Sequence, residues 1–311
     1  MEIRLPKRIL LSGAFVVLFG LSVGEVHAVS CKRGDKQPQI PLSVGVCGFD
    51  AGARSFSGSA AQQAACLTRR VQFANSAIGP ETLSTFLENL VDTTAPSGGS
   101  VQAYLRSLGV DATQVGRPIG PAVQAKYFVI HDTSSPDCSE LDKERSAACP
   151  ERGVFPAIIN DESWSENRRF LGHTPSNAPA HVTTNRSGQS VHLVDYAVHK
   201  QAMKFEGCNI AATKNVFIHV ENIQPRISRP PQPTKRIEPF VAPDPAFGPR
   251  QYDRLALVYM VASARRGRWL IPAYHGVIDH LYKNGHDDPQ NFDMAAFSEA
   301  VRRHSIAVGH R

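Results

Sequence analysis

A cluster of imidazole and carboxylate side chains lies near the end of this 311-residue chain. Its members all fall between Tyr274 and Asp288: His275, His280, His286, Asp279, Asp287 and Asp288. Imidazole and carboxylate are ligands that zinc takes in open, catalytic sites. Asp288 precedes Pro289, and the residue before a proline is pushed out of the α region, so we expect a loop that folds its side chains onto one point. Together with a distant histidine, His131, the cluster predicts a metal site.

Three apolar segments must position these side chains. The run from Tyr127 ends at His131 and is typical of a buried strand. The strand-like segment Trp269–Pro272 leads into the cluster. A third strand, Asn215–Asn222, carries His219 and Glu221 two residues apart, so both side chains point to one face. An imidazole and a carboxylate on an otherwise apolar face are costly to bury unless solvated or paired. The pattern therefore favours a strand that faces a cleft.

The remaining pattern predicts helices around these strands. The glycine-containing turn Asn185–Gly188 predicts a hairpin with strands Ala180–Thr184 and Gln189–Asp195. Proline- and glycine-bounded periodic segments predict helices at Ala60–Ala74, Glu81–Leu90, Val101–Leu108, Pro249–Arg266 and Met294–His304. The proline-rich segment Pro225–Pro249 predicts an extended loop. We expect residues 29–122 to form a small helical accessory region on a main domain at residues 123–311.

The amino terminus predicts export. Residues 1–28 combine a basic start, an apolar run and the small-residue cleavage site Val26–Ala28, which is typical of a signal peptide. The apolar run is shorter than the roughly 20 residues of a membrane span. No second run of this kind follows, so we expect a soluble, periplasmic or secreted protein. The net charge of +6 is mild, and no basic helix or aromatic–basic alternation indicates nucleic-acid binding.

All six cysteines follow the proposed cleavage site, and an even number in an oxidising compartment favours disulfides. We expect two local bridges, Cys47–Cys66 and Cys138–Cys149. Elimination leaves Cys31 with Cys208. The alternative is a lipidated Cys31, which would leave an odd number of thiols.

The order of these motifs resembles a known family. Ile130-His131 after an apolar strand, Ala180-His181-Val182, Phe217-Ile-His-Val-Glu221, and His275 followed by Asp288-Pro289 are similar to the zinc-dependent N-acetylmuramoyl-L-alanine amidases. The amidase-type phage lysozymes and the animal peptidoglycan recognition proteins share that fold. The resemblance spans about Val123–Arg303. It implies an α/β fold with a mixed central sheet flanked by helices, and a peptidoglycan or muropeptide substrate.

The resemblance also implies a role for each matching residue. The ligand set would be His131, His275 and Asp288, although Gln290 stands where the family has glycine. A longer loop between the last two ligands leaves Asp287 or His280 open as alternatives. His219 matches the position of the family's acid, with Glu221 one step further along the same face. His286 matches a catalytic lysine, and His181 would contact substrate.

The proposed ligands and catalytic residues also form a coherent mechanism without reference to the resemblance. Two histidines and one aspartate leave zinc a fourth position for water, whose pKa then falls to about 7. Glu221 or His219 would take the proton of that water and pass it to the leaving amine. His286, if cationic, would stabilise the oxyanion beside the metal. Two other classes stay open: a binding module of the same fold without activity, and a toxin-like wall hydrolase.

Overall fold

The computed structural model describes residues 47–73, 76–78, 83–139, 148–228, 240–280, 282 and 286–309. The strands are β1 Phe49–Asp50, β2 Ser55–Phe56, β3 Val71–Phe73, β4 Ser76–Ile78, β5 Tyr127–Ile130, β6 Val182–Thr184, β7 Ser190–His192, β8 Phe217–Asn222, β9 Ile227–Ser228, β10 Phe240–Val241 and β11 Ile271–Tyr274. The helices are α1 Ala60–Leu67, α2 Thr85–Leu90, α3 Gly98–Ser107, α4 Ser165–Arg169, α5 Lys204–Cys208, α6 Ile210–Thr213, α7 Pro249–Arg266, α8 His275–Asp279 and α9 Met294–Ala307. The predicted signal peptide and Cys31 lie outside the described residues.

A five-stranded mixed sheet forms the centre, in the order β11-β5-β8-β6-β7. The first four strands are parallel, and β7 pairs antiparallel with β6 as the predicted hairpin. The carboxyl ends of parallel strands meet at one edge of a sheet, which is where functional side chains collect in open α/β folds. The predicted class, α/β with a mixed sheet flanked by helices, is confirmed.

Helix α7 covers one face of the sheet. It begins at Pro249 and ends at Gly267, whose φ of 78° is the left-handed conformation that glycine adopts without strain. Every residue from Leu255 to Ser263 is buried, as its nearly continuous apolar sequence predicts. The ring of Phe128 on β5 meets Tyr259 of α7 at 5.1 Å between centroids. Helix α9 packs on the same helix, through Tyr259 and Phe297.

The opposite face carries an aromatic cluster. Tyr127 and Phe217 of the sheet pack with Phe56 of β2 and Phe205 of α5, at centroid distances of 5.1 to 6.4 Å. The Tyr127 hydroxyl accepts the Phe56 N–H at 2.6 Å and donates to Gln63 at 2.7 Å. Residues from both sides of the predicted boundary at residue 122 thus share one hydrophobic core. The division into two domains stays a prediction.

The amino-terminal region is less helical than expected. The predicted helix Ala60–Ala74 ends at Leu67, because Thr68 leaves the helical conformation and its hydroxyl donates to Ala64 O at 2.8 Å. The chain then forms the β3–β4 hairpin, which suits its β-branched and aromatic residues. A second hairpin joins β1 and β2.

Both local disulfides are confirmed. Cys47 is bonded to Cys66, and Cys138 to Cys149, with Cα–Cα distances of 5.7 and 5.3 Å. Cys208 is also disulfide-bonded. None of the helices in the described part of the chain is long and apolar enough to cross a membrane.

Candidate metal centre

Strand register brings two of the predicted ligands together. Tyr274, the last residue of β11, is level with Ile130, the last residue of β5. The next residues, His275 and His131, therefore emerge side by side from the carboxyl edge of the sheet, although 144 positions separate them in sequence. Parallel pairing places both side chains on the face opposite α7. Asp288 reaches the same point from the segment that follows α8.

The donor atoms of these three residues form a compact triangle. The Nδ1 atoms of His131 and His275 are 3.0 Å apart. Asp288 Oδ2 lies 3.1 Å from His275 Nδ1 and 3.7 Å from His131 Nδ1. Tetrahedral zinc with bonds of about 2.0–2.1 Å separates its ligand atoms by roughly 3.3 Å. All three side chains are buried, and the group could hold a metal ion.

The carboxylate of Asp288 fits a metal-bound group. Both oxygens lie within 3.1 Å of His275 Nδ1, but only Oδ2 is aligned as a hydrogen-bond acceptor. Oδ1 is buried with no hydrogen-bond partner among the described residues. A buried carboxylate oxygen that has an ion-pair neighbour but no aligned hydrogen bond is only partly satisfied, and a bound cation would complete its contacts. The donor set of this structure therefore fits a bound metal cation.

His275 is oriented from behind by a second carboxylate. Its Nε2 lies 3.0 Å from Asp279 Oδ2, one helical turn further along α8. Asp279 is itself fixed by the N–H groups of Lys204 and Phe205, at 2.8 and 3.0 Å. Such carboxylate–histidine pairs orient metal ligands and raise their basicity. The Nδ1 atom of His275 is thereby directed into the donor triangle.

In the metal-free protein the pKa values of the three donors shift in different directions. Burial, reinforced by the charge of His275, lowers the pKa of His131 well below its usual value. Burial alone would also lower the pKa of His275, but Asp288 and Asp279 outweigh it and hold that pKa well above normal. For Asp288 burial acts upward, yet the charge and hydrogen bond of His275 leave its pKa lowered. The proton that a metal must displace is therefore on His275.

Glu221 borders the donor triangle. It projects from β8 with its Oε1 4.0 Å from His131 Nδ1, and its side chain keeps 14% of its surface exposed. Burial, followed by the negative charge of Asp288, raises the pKa of Glu221 to about 8. Its Oε2 has no hydrogen-bond partner among the described residues. This carboxyl is placed where it can exchange a proton with a group bound at the donors.

His219 shares the face of Glu221, as strand alternation predicts, but it is completely buried. Its Nδ1 lies 2.9 Å from His131 Nε2, on the side of the ligand ring away from the donor triangle. The sequence required each polar side chain on this face to be either paired or solvated. In the structure His219 is paired, and Glu221 is partly exposed. Among the described residues, His219 contacts the donor triangle through His131.

The other predicted site residues occupy different positions. His286 is 59% exposed and stacks on His275 at 4.8 Å, with its Nδ1 3.9 Å from Asp288 Oδ1. His181 is fully buried, and both of its ring nitrogens bond to backbone groups of the protein. His280 is turned toward Val277 O and Arg69. Asp287 accepts from the Gln290 side chain at 2.5 Å.

An ion pair holds the Asp288 segment in place. Arg226 donates through Nη2 to both oxygens of Asp132, at 2.8 and 2.7 Å, and both residues are buried. The Asp132 N–H donates to Asp288 Oδ2, and the Gln290 N–H donates back to Asp132, each at 3.2 Å. Burial raises the pKa of Asp132 to about 6 despite the arginine. Asp132, which follows the predicted ligand His131, thus helps to hold the predicted ligand Asp288 in place.

Neither a protein-family model nor a curated protein matches this chain. The resemblance to the amidases therefore depends on the residues themselves, and the site has to be interpreted from its geometry.

Two residues support the site in ways that the sequence did not predict: Asp279 was expected only as a member of the His/Asp cluster, and Glu206 was not expected at all. Asp279 follows His275 by four positions, the spacing that puts two side chains on one side of a helix. We expected a loop there, whereas α8 begins at His275. Glu206 lies on α5, remote in sequence from every predicted ligand, and only the fold brings its carboxylate to His219.

Proposed function

We propose that this protein is an exported, zinc-dependent N-acetylmuramoyl-L-alanine amidase, which cleaves the amide between the lactyl group of muramic acid and L-alanine in peptidoglycan. The observation that carries the proposal is the buried triangle of two imidazole nitrogens and one carboxylate. Its composition leaves a tetrahedral ion one position free, which is the arrangement of catalytic zinc sites. Two disulfides support an oxidising, exported setting.

His131, His275 and Asp288 would hold the ion. When bound, zinc would lower the pKa of a water and polarise the scissile carbonyl. Asp279 and the Asp132–Arg226 pair would keep the ligands in position from behind. Such preorganised surroundings remove the need to reorganise the site during the reaction.

Glu221 is the proposed general base and acid. Its partial exposure and its 4.0 Å separation from His131 Nδ1 place it beside the donors without making it one of them. A general base works best with a pKa near the working pH, and nearby positive charge would bring its raised pKa back toward neutrality. It would take a proton from water and deliver it to the leaving L-alanine amine.

His286 is the proposed electrostatic partner at the rim. Partial desolvation lowers the pKa of His286 against the opposing charge of Asp288, which favours the neutral imidazole with one N–H to donate. It stacks on a ligand ring and stays exposed, and from there it could donate to the developing oxyanion. We propose no contact between substrate and His181, since its side chain is inaccessible.

The test combines metal analysis with mass spectrometry of digested sacculi. Wild-type protein should contain about one zinc per chain and release stem peptides with a free L-alanine amine. His275→Ala should lose zinc and activity together, because packing cannot replace a metal ligand. His304→Ala is the matched control, since His304 is another buried histidine paired with an aspartate, Asp253 at 3.1 Å. It should keep both.

Two results would contradict the proposal. Zinc retained at full occupancy in His275→Ala would remove His275 from the ligand set. Zinc bound to a wild-type protein that leaves the lactyl–alanine amide intact would leave only a binding module.

A further inference from the structure

A line of buried polar side chains extends from the candidate metal centre into the protein. His131 Nε2, on the far side of the ring from the donor triangle, lies 2.9 Å from His219 Nδ1. His219 Nε2 in turn lies 3.1 Å from Glu206 Oε2, without the alignment of a full hydrogen bond. His131, His219 and Glu206 are each at most 1% exposed.

We infer that His219 and Glu206 are positioning residues that set the tautomer of His131 and so present its Nδ1 lone pair to a metal. This inference rests on the proposed zinc site. A histidine that binds a metal through Nδ1 must carry its proton on Nε2. That N–H can only be donated to His219 if His219 Nδ1 is unprotonated, which places the His219 proton on Nε2, facing the Glu206 carboxylate.

The contacts of Glu206 favour donation of the hydrogen bonds from His131 to His219 and from His219 to Glu206. Glu206 Oε2 accepts the N–H groups of Ala202 and Met203, at 3.0 and 3.1 Å, which fixes the carboxylate at the start of α5. A carboxylate held this way accepts hydrogen bonds and donates none. It therefore selects the His219 tautomer with a proton on Nε2, and the choice is passed to His131.

His181 contacts His219, the middle residue of this line. Its Nδ1 accepts the His219 backbone N–H at 3.0 Å, and its Nε2 donates to Val198 O at 3.1 Å, so its own tautomer is fixed. Its ring stacks on that of His219, at 5.8 Å and 18° between planes. The two metal-binding histidines thus differ in their support: His275 contacts a carboxylate directly, and His131 contacts one through a second imidazole.

The first test is a zinc affinity measured by chelator competition. Glu206→Leu keeps a side chain of similar size but removes the oxygen that faces the His219 Nε2 atom. Loss of such an outer partner typically weakens metal binding by about 10–100-fold, and we expect a change of that order. Glu166→Leu is the matched control, since Glu166 is also buried but faces Arg169 outside the site. It should bind zinc like wild type.

The second test does not depend on a folded variant. Nitrogen-15 spectra of zinc-loaded wild-type protein with labelled histidines report which ring nitrogen carries each proton. We expect Nε2–H for both His131 and His219. The inference is overturned if His219 carries its proton on Nδ1, or if folded Glu206→Leu binds zinc as tightly as Glu166→Leu.

These outcomes separate the inference from the proposed function. Wild-type protein that binds no zinc removes the function and the inference together. Wild-type protein that binds zinc and cleaves peptidoglycan, but has the opposite His219 tautomer, removes only the positioning line.

Discussion

Zinc binding should release protons, and the structure gives their sources. In the metal-free protein the pKa of His275 is held well above normal by Asp288 and Asp279, against the effect of burial, so at pH 7 this ring is charged. It must lose a proton to become a ligand. His131 and Asp288, whose pKa values are lowered, are already in the ligand form. The donor triangle therefore contributes about one proton.

Glu221 should contribute most of a second proton. Burial and the charge of Asp288 raise its pKa to about 8 in the metal-free protein. At pH 7 such a group is about nine-tenths protonated. A dication at the donors, beside the Glu221 carboxyl, favours the ionised form and lowers that pKa. We expect roughly two protons from these protein groups per zinc at pH 7, to which ionisation of a zinc-bound water would add.

The assay is calorimetric titration of metal-free protein with zinc, in buffers of different ionisation enthalpy. Because the metal-free form binds more protons than the loaded form, zinc affinity should rise with pH, by about a factor of ten per pH unit for each proton released. Glu221→Gln should remove the second proton and keep the first. Zinc binding at pH 7 without proton release would refute the assignment of a charged His275.

Three further outcomes follow from the contacts described above. Glu221→Gln should lower kcat by about 100-fold or more with zinc retained, as expected for a lost general base; turnover near the wild-type rate would make this carboxylate structural. Replacing Cys138 and Cys149 by serine should lower the free energy of unfolding by roughly 2–3 kcal/mol in urea titrations, and an unchanged midpoint would show that the bridge does not stabilise the fold. Tyr127→Phe leaves the buried Phe56 N–H without its acceptor and should cost about 1–3 kcal/mol by the same measurement, whereas a neutral effect would imply that another group takes over this hydrogen bond.

The central strands and the main helix could be predicted because local pattern and burial agree there. Helix α7 has proline at its start, glycine at its end and a continuous apolar middle, so its bounds match the prediction. Strand β8 carries His219 and Glu221 on one face, as alternation requires. Near the amino terminus the apolar spacing of α1 continues past Thr68, and only the local geometry at that threonine ends the helix.

The surroundings of the site were less accessible to sequence reasoning. The burial of His219 depends on the strands beside β8, which are β5 and β6, and His131 lies at the end of β5. The partner of His219, Glu206, is held by the turn before α5 and has no spacing relation to the ligands. Strand alternation assigns a side chain to a face, but it cannot identify what covers that face.

The distance in sequence between His131 and His275 has a consequence for how the protein folds. The two rings meet only after β11 has paired with β5, near the end of the chain. A chain that emerges progressively through a membrane cannot assemble the donor triangle until almost all of it has been delivered. Under the proposed ligation, zinc at 1,000 times its dissociation constant would stabilise the completed fold by about 4 kcal/mol and leave partly folded intermediates unaffected. If the protein is exported as proposed, metal supply would act after translocation, as the step that makes the final strand pairing hard to reverse.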